Sequence, residues 1–252
     1  MIDVNNVRKT YPPDKIALKG ISFEIKSGDV CGYIGANGAG KSTTVKILTG
    51  VLDFEKGTAI VGGIDVKKNP IEVKRIMGYV PESANLFNSL TVNEFLDFIG
   101  TVRDLDKETL KKRKDYFAEL FDFKNQTENS IGSISKGNRQ KVLITSALMH
   151  NPQVIFLDEP LNGLDANSIF TFQDMVKKLS EKGKTIFYCS HLLDTIEKIS
   201  TRIIIIENGE IKLDKTTEDL KNSDDFVSLE NLFRSMNKEE VPFKFCYEDI
   251  FN

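Results

Sequence analysis

The run Gly35-Ala36-Asn37-Gly38-Ala39-Gly40-Lys41-Ser42-Thr43 constrains this chain more than any other stretch. It matches G-x-x-x-x-G-K-[ST], a loop whose glycines let the backbone close around an oxygen-rich ligand. Successive N–H groups in such a loop form an anion nest, and the helix that follows points its positive end at the same place. In this reading Lys41 brings a point charge to the β and γ phosphates of a nucleoside triphosphate, and Ser42 offers its hydroxyl to Mg²⁺. The chemistry needs a strand before the loop and a helix after it. Asp29 to Ile34 reads as a short buried strand, and Lys41 to Leu48 as a helix stopped at Gly50. A glycine-rich turn that binds nothing would require neither.

The rest of the chain has room for such a core. Its 252 residues, 40% hydrophobic and 28% charged, suit a globular protein of one large or two small domains. A net charge of −3 gives no general pull toward nucleic acid or anionic lipid. The longest purely apolar runs, such as Ile203 to Ile206, fall far short of the ~20 residues of a membrane-spanning helix, so a membrane role would run through a partner. The N-terminus opens into strand-like sequence rather than a secretory signal. Cys31, Cys189 and Cys246 are far apart and lack metal-ligand spacing. Cys31 and Cys189 lie in apolar strand runs and read as buried thiols of a reducing compartment.

Residues 1–27 read as β-hairpin material. Ile2, Val4 and Val7 precede a Tyr11-Pro12-Pro13-Asp14 turn, and Ile16, Leu18, Ile21, Phe23 and Ile25 continue the alternation after it. Residues 57–63 and 77–81 read as short strands. Residues 85–150 change character. Thr91 and Glu94 make a capping box. Val92, Phe95, Leu96 and Ile99 fall at helical spacing, and further helices are predicted over 107–123 and 135–150. Val154 to Leu157 and Thr185 to Cys189 are uninterrupted apolar strands, as in a parallel sheet covered on both faces. A helix over 168–182 lies between them, and Arg202 to Asp214 reads as a hairpin turning at Asn208-Gly209. The fold class is thus α/β: a P-loop NTPase core over residues 1–220, with an N-terminal antiparallel β-subdomain and an inserted α-helical subdomain at about 85–150. Residues 221–252 read as a polar C-terminal appendage.

Asp158-Glu159 ends the first apolar strand. A carboxylate there, opposite a P-loop, is where a Mg²⁺-organising acid belongs. Asp158 is that candidate. Glu159, one residue on, could polarise a water in line with the γ-phosphorus. Alone, Asp-Glu-Pro is a common strand-end turn. Ser135 is a candidate N-cap whose helix offers a second anion-binding end, although any capped helix does so. His191 follows the second apolar strand. A lone histidine is more often structural, but a neutral imidazole could read a γ-phosphate.

In this order the pieces resemble the ATP-binding subunit of ABC transporters, over about residues 1–220. Tyr11 matches the aromatic that stacks on adenine, and Gly35 to Thr43 the first nucleotide motif. Ile134 to Gln140 matches the signature motif, Val154 to Pro160 the acidic strand motif, Asn162 to Asp165 the D-loop and His191 the switch histidine. The resemblance implies an ATPase that works as a head-to-tail dimer of two ABC domains, identical or different. ATP and Mg²⁺ on Gly35, Ala36, Asn37, Gly38, Ala39, Gly40, Lys41, Ser42 and Thr43 of one copy would be capped by Ser135, Lys136, Gly137 and Asn138 of the other. Lys41, Glu159 and His191 would be catalytic, Ser42, Asp158 and Glu82 would surround Mg²⁺, and Asp165 would link the two sites across the interface.

The chain departs from the family pattern at two places. Glu82 stands where the Q-loop glutamine is usual, and Ile134, Lys136 and Asn138 depart from Leu-Ser-Gly-Gly-Gln while Ser135 and Gly137 are kept. Lys136 either faces the partner's phosphate or is simply solvated. Both departures are similar to the subfamily that serves separate export-type membrane subunits, which favours an exporter. The implied partner is a multi-span permease received near Glu82 and residues 85–110, where Leu86, Phe87 and Leu90 either meet it or pack beneath the helices. The implied location is the cytoplasmic face of a membrane, reached through that permease, with no direct nucleic acid contact. The alternative is a soluble ABC-type ATPase acting on a ribosome or DNA. The single set of motifs and the lack of a long coiled coil weigh against it. The lack of an Asn-Lys-x-Asp motif weighs against a GTPase, and the signature run weighs against a GTPase or a kinase.

Overall fold

The computed structural model describes residues 1–83, 86–223 and 226–236. The alternating N-terminal sequence forms β1 (Ile2–Tyr11) and β2 (Lys15–Ile25), paired antiparallel. β4 (Lys56–Val61) pairs with the other edge of β1, and β5 (Ile64–Asp65) completes a sheet in the order β2-β1-β4-β5. One expectation fails here. Ile16, read as inward-facing, is 57% exposed, while its neighbours Ala17 and Leu18 are buried. The β1–β2 register shifts between Lys9 and Thr10, and a one-residue slip exchanges the faces of a strand.

The second sheet runs β10-β9-β3-β8-β7-β6. Its members are β3 (Val30–Ile34), β6 (Met77–Val80), β7 (Val154–Asp158), β8 (Thr185–Cys189), β9 (Arg202–Glu207) and β10 (Glu210–Thr216). All neighbours are parallel except β9 and β10, which form a hairpin. The hairpin turns at Asn208 and Gly209, with φ of 48° and 78°, as the Asn-Gly signal predicts. Every residue of β3, β7 and β8 is buried, including Cys31 and Cys189, which explains their unbroken apolar runs.

Two apolar clusters lie on opposite faces of this sheet. One joins the hairpin sheet and α1 (Lys41–Leu48) through Ile2, Phe23, Tyr33, Val45 and Phe187. The other packs α3 (Val92–Val102), α5 (Lys136–Leu148), α6 (Ala166–Glu181) and α7 (Leu193–Ile199) through Phe95, Val142, Phe172 and Ile196. A short α2 (Pro70–Ile76) leads into β6, and α4 (Lys107–Leu120) lies in the 85–150 region. α8 (Thr217–Lys221) and α9 (Leu229–Met236) bury Leu220 and Leu229 in the second cluster.

Several boundaries move. α4 stops at Leu120 rather than 123, because Asp122 is left-handed (φ 53°) and Phe121 and Phe123 are drawn into the core. α6 starts at Ala166 rather than 168, because Asp165 caps it. The Thr91–Glu94 capping box is present. Leu86 and Leu90 pack against the helical core, whereas Phe87 is 54% exposed, so the expected docking patch divides. Asn85, Cys246 and the rest of 237–252 lie outside the described residues. Among the described residues no helix is long and apolar enough to cross a membrane.

Candidate nucleotide-binding and catalytic site

The loop between β3 and α1 is glycine-rich for geometric reasons. Gly38 and Gly40 have φ of 82° and 118°, where a side chain is strained. A Cβ on Gly40 would also lie 2.8 Å from Leu18 Cδ2 and 2.9 Å from the Ala17 carbonyl, and one on Gly35 only 2.4 Å from the Ile206 carbonyl. The loop is therefore wedged between β2 and β9. Gly40 is the N-cap of α1 and no side chain caps that helix, so its first N–H groups remain available to a ligand. Lys41 curls over the loop, its Nζ donating to the carbonyls of Gly35 at 2.5 Å and Ala36 at 3.1 Å. Ala39 differs from the other loop residues. Its side chain is buried in the core, and its N–H is taken by the Ala36 carbonyl at 3.1 Å.

The loop opens on a cleft of about 680 Å³. Tyr11 stands at one end with its hydroxyl 3.4 Å from Thr43 Oγ1, beside Lys15 and Ala17. Gly35, Ala36, Asn37, Gly38, Gly40, Lys41, Ser42 and Thr43 line the floor, and Glu82, Asp158, Glu159 and His191 line the far end. Parallel pairing of β3 with β8, and of β8 with β7, delivers these strand ends side by side.

Three carboxylates, Glu82, Asp158 and Glu159, crowd the far end. Burial, then the like charges of Glu82 and Glu159, push the Asp158 carboxyl up to about 6, against the opposing pull of Lys41 and Lys46. Burial with Asp158 and Glu82 nearby also pushes the Tyr79 phenol up to about 12. A divalent ion would relieve this crowding. Among the described residues no three His, Cys, Asp or Glu side chains converge as a self-sufficient metal cage. Mg²⁺ binds through one or two carboxylates together with phosphates and waters, and Asp158 and Glu82 beside the loop would supply those carboxylates.

Glu159 is held in the left-handed region at φ 50°, a conformation that costs on the order of 1 kcal/mol or more for a non-glycine residue. Its N–H donates to the Cys189 carbonyl at 2.9 Å, which turns the chain off the strand. Its carboxylate accepts Ser190 Oγ–H and the His191 N–H, both at 2.9 Å, and His191 Nδ1 lies 2.9 Å from Oε1. Glu159 and His191 thus form one hydrogen-bonded unit facing the loop.

The remaining predicted residues lie elsewhere. Ser135, Lys136, Gly137 and Asn138 open α5 outside this cleft. Ser135 Oγ accepts the Asn138 N–H at 3.1 Å, and the Lys136 methylenes lie over Gly163. Asp165 also lies outside the cleft. Its carboxylate takes the Ser168 N–H at 2.9 Å and the Ser168 hydroxyl at 2.7 Å, with Lys141 Nζ at 3.2 Å. These contacts, the Ser168 N–H foremost, hold its carboxyl well below the usual carboxylate range.

Sequence reading missed Lys15, Ala17, Leu193 and Phe233 in the cleft wall. Phe233 arrives there because α9 packs on α7, with the Leu229 N–H donating to Glu197 Oε2 at 2.8 Å. No spacing in the sequence announces that contact.

Comparison with known proteins accords with this geometry. The family profile described as ABC transporter matches residues 18–162, a span that holds the loop, the start of α5 and the acidic strand end. The linearmycin resistance ATP-binding protein LnrL of Bacillus subtilis (strain 168) is 36% identical over 220 residues, which cover 87% of this chain and 70% of that protein. A solved structure described as the ATP binding subunit of an ABC transporter superposes with a TM-score of 0.89 at 27% identity, over 94% of this chain and 100% of that one. The dimeric post-hydrolysis state of the ATP-binding cassette MJ0796, bound to ADP and Pi, gives a TM-score of 0.79 at 26% identity, over 86% and 99% of the two chains. The chain belongs to the ABC transporter family, as an ATP-binding subunit that hydrolyses ATP with Mg²⁺.

Proposed function

We propose that this chain powers a separate multi-span permease by closing head to tail around ATP and reopening after hydrolysis. The observation that carries this reading is the division of the site within one chain. The cleft gathers the loop, the acids and His191, while Ser135 to Asn138 lie outside it at the start of α5. A second ABC chain, identical or related, would bring its own α5 to that cleft.

The geometry supports the following division of roles. The Gly35–Thr43 loop and Lys41 hold the phosphates, and Tyr11 stacks on the base. Ser42, Asp158 and Glu82 would hold Mg²⁺, which would supply charge neutralisation at the phosphoryl oxygens. Glu159 orients and polarises the attacking water, and His191, bonded to it, reports the γ-phosphate. Ser135, Lys136, Gly137 and Asn138 contact the partner's nucleotide, and Asp165 stands at the seam between the two sites.

The permease is received on the groove between α2, β6 and α3, a hollow of about 690 Å³ lined by Tyr79, Ile99 and Arg103. Val51, Ile71 and Val102 border it with 61%, 67% and 61% of their surface exposed, an apolar patch of the kind that marks a protein contact. β6 runs from this groove to Glu82, so pressure in the groove reaches the acidic end of the cleft. Two observations support export: Glu82 in place of glutamine, and likeness to a protein named for antibiotic resistance. The subunit then sits on the cytoplasmic face of the membrane through its permease.

Glu159→Gln tests the sandwich. Hydrolysis should fall by about 10²–10⁴-fold while ATP still binds, and size exclusion with ATP and Mg²⁺ should show a trapped dimer. A variant that stays monomeric at saturating ATP sinks the head-to-tail reading.

A further inference from the structure

We propose that Lys141 is a positioning residue that locks the start of α5 to the loop after Glu159, so that the two half-sites carried by one chain move as one body. This rests on the head-to-tail reading, in which a chain lends Glu159 to its own ATP and Ser135 and Gly137 to its partner's.

Three contacts make the lock. Lys141 is only 7% exposed, and its Nζ lies 3.2 Å from Asp165 Oδ2. Gln140 Nε2 donates to the Pro160 carbonyl at 2.8 Å. Gly137 sits so close to the same loop that a Cβ on it would meet the Gly163 carbonyl at 2.7 Å. Lys141 and Gly137 are one turn apart on α5 and share a face. That face therefore spans the loop from Pro160 to Asp165, which begins directly after Glu159.

A simple packing role does not explain a lysine here. Val142 and Ile144 already anchor α5 in the core. Asp165 already caps α6 through the Ser168 N–H. Burying an ammonium costs free energy, and its pair with Asp165, whose side chain is 58% exposed, is a poor source of net stability. The aliphatic stem could be replaced by a methionine at little loss of packing. The pair adds direction: it fixes the angle between α5 and the D-loop. With its carboxylate engaged by Ser168 and Lys141, Asp165 acts across the seam through the backbone and loop it holds rather than as a free charge.

The experiment uses the full chain. In the Glu159→Gln background, dimerisation with ATP and Mg²⁺ is measured by analytical ultracentrifugation, with ATP binding to dilute monomer measured alongside. Lys141→Met should leave monomer affinity within about 2-fold, because the cleft is untouched, and raise the dimer dissociation constant about 10-fold or more. With Glu159 intact, the same substitution should lower kcat and bring the Hill slope toward one. Lys141→Arg should restore both, since a guanidinium still reaches Asp165. Asp165→Ser keeps a capping hydroxyl and removes the anion. It should reproduce the dimer loss with monomer affinity unchanged, and it serves if Lys141→Met fails to fold. A lowered Tm with dimer affinity and Hill slope unchanged in both variants overturns the proposal and leaves a packing residue. If Glu159→Gln itself never dimerises, the head-to-tail reading fails and takes this inference with it. If it dimerises and the Lys141→Met double variant dimerises equally well, only the role of Lys141 fails.

Discussion

Two helix ends in this chain look equivalent in sequence and differ in the fold. α1 and α5 each begin with a turn of unpaired N–H groups and a positive dipole end. α1 starts at Gly40, left-handed at φ 118°, and no side chain caps it. α5 starts at Ser135, whose hydroxyl oxygen takes the Asn138 N–H at 3.1 Å. The first end opens into a cleft of its own chain with Lys41 folded across it. The second is closed by its own side chain and braced from behind by Gln140 and Lys141. The difference separates a pre-built anion site from a keyed surface. In the proposed dimer the first would bind phosphate within its own chain, and the second would exchange its internal hydrogen bond for a partner's phosphate.

Substitutions can break that contrast, and the largest effect belongs to α1. Lys41→Ala removes a cation folded onto the loop, and ATP affinity by isothermal titration should fall about 100-fold, the upper range for a charge-assisted hydrogen bond. An unchanged dissociation constant would leave no distinction between the two ends. Gly40→Ala comes next. It must accept both a left-handed backbone and contacts of 2.8 and 2.9 Å with Leu18 and the Ala17 carbonyl. A loss of about 1–3 kcal/mol in urea unfolding is expected, together with weaker ATP binding.

Ser135→Ala probes the closed end. Loss of the cap should destabilise by about 1 kcal/mol and abolish the ATP-trapped dimer, with monomer affinity unchanged. Should monomer ATP binding weaken as much as in Lys41→Ala, both ends would belong to one cleft and the comparison fails.

Acid gives the smallest and most selective effect. The Asp158 carboxyl stands at about 6, above its unfolded value. From about pH 4 to 6 the folded chain therefore holds a proton that the unfolded chain has released, and stability of the nucleotide-free chain declines as pH rises through that window. Asp158→Asn should flatten that slope. In the same titration, Mg²⁺-dependent ATP affinity should drop roughly 4-fold from pH 7.5 to 5.5 beyond the change that Asp158→Asn shows, since the terminal phosphate of ATP titrates in the same window for both chains. Asp165, beside α5, shifts the opposite way, pulled down first by the Ser168 N–H. Its stabilisation is present above the unfolded carboxylate value and is lost only as pH falls below the usual carboxylate range. A parallel pH response at both ends would contradict the assignment of distinct charge environments.

The elements that carry chemistry were legible because each is a local pattern. Strand, glycine loop and helix at residues 29–48 follow from apolar run, left-handed glycines and helix stop. The Thr91 capping box and the Asn208-Gly209 turn are read within four residues of chain. Illegible features depend on how distant pieces meet. Ile16 faces out because of a register shift with β1, which no alternation in β2 reveals. Ala39 sits in a nucleotide motif yet points into the core. Leu86 and Leu90 share composition with Phe87 but not exposure.

The order of residues by itself determined the P-loop, the acids at the strand end, the α/β class and the family, because spacing along one strand or helix sets which side chains share a face. Only the tertiary structure decided that Glu159 is held by Ser190 and His191, that Asp165 is engaged by Ser168 and Lys141, and that Phe233 reaches the cleft. Apart from the local Asp165–Ser168 cap, those contacts join segments far apart in the chain, and the packing of the sheet and its two apolar faces fixes them rather than any local preference.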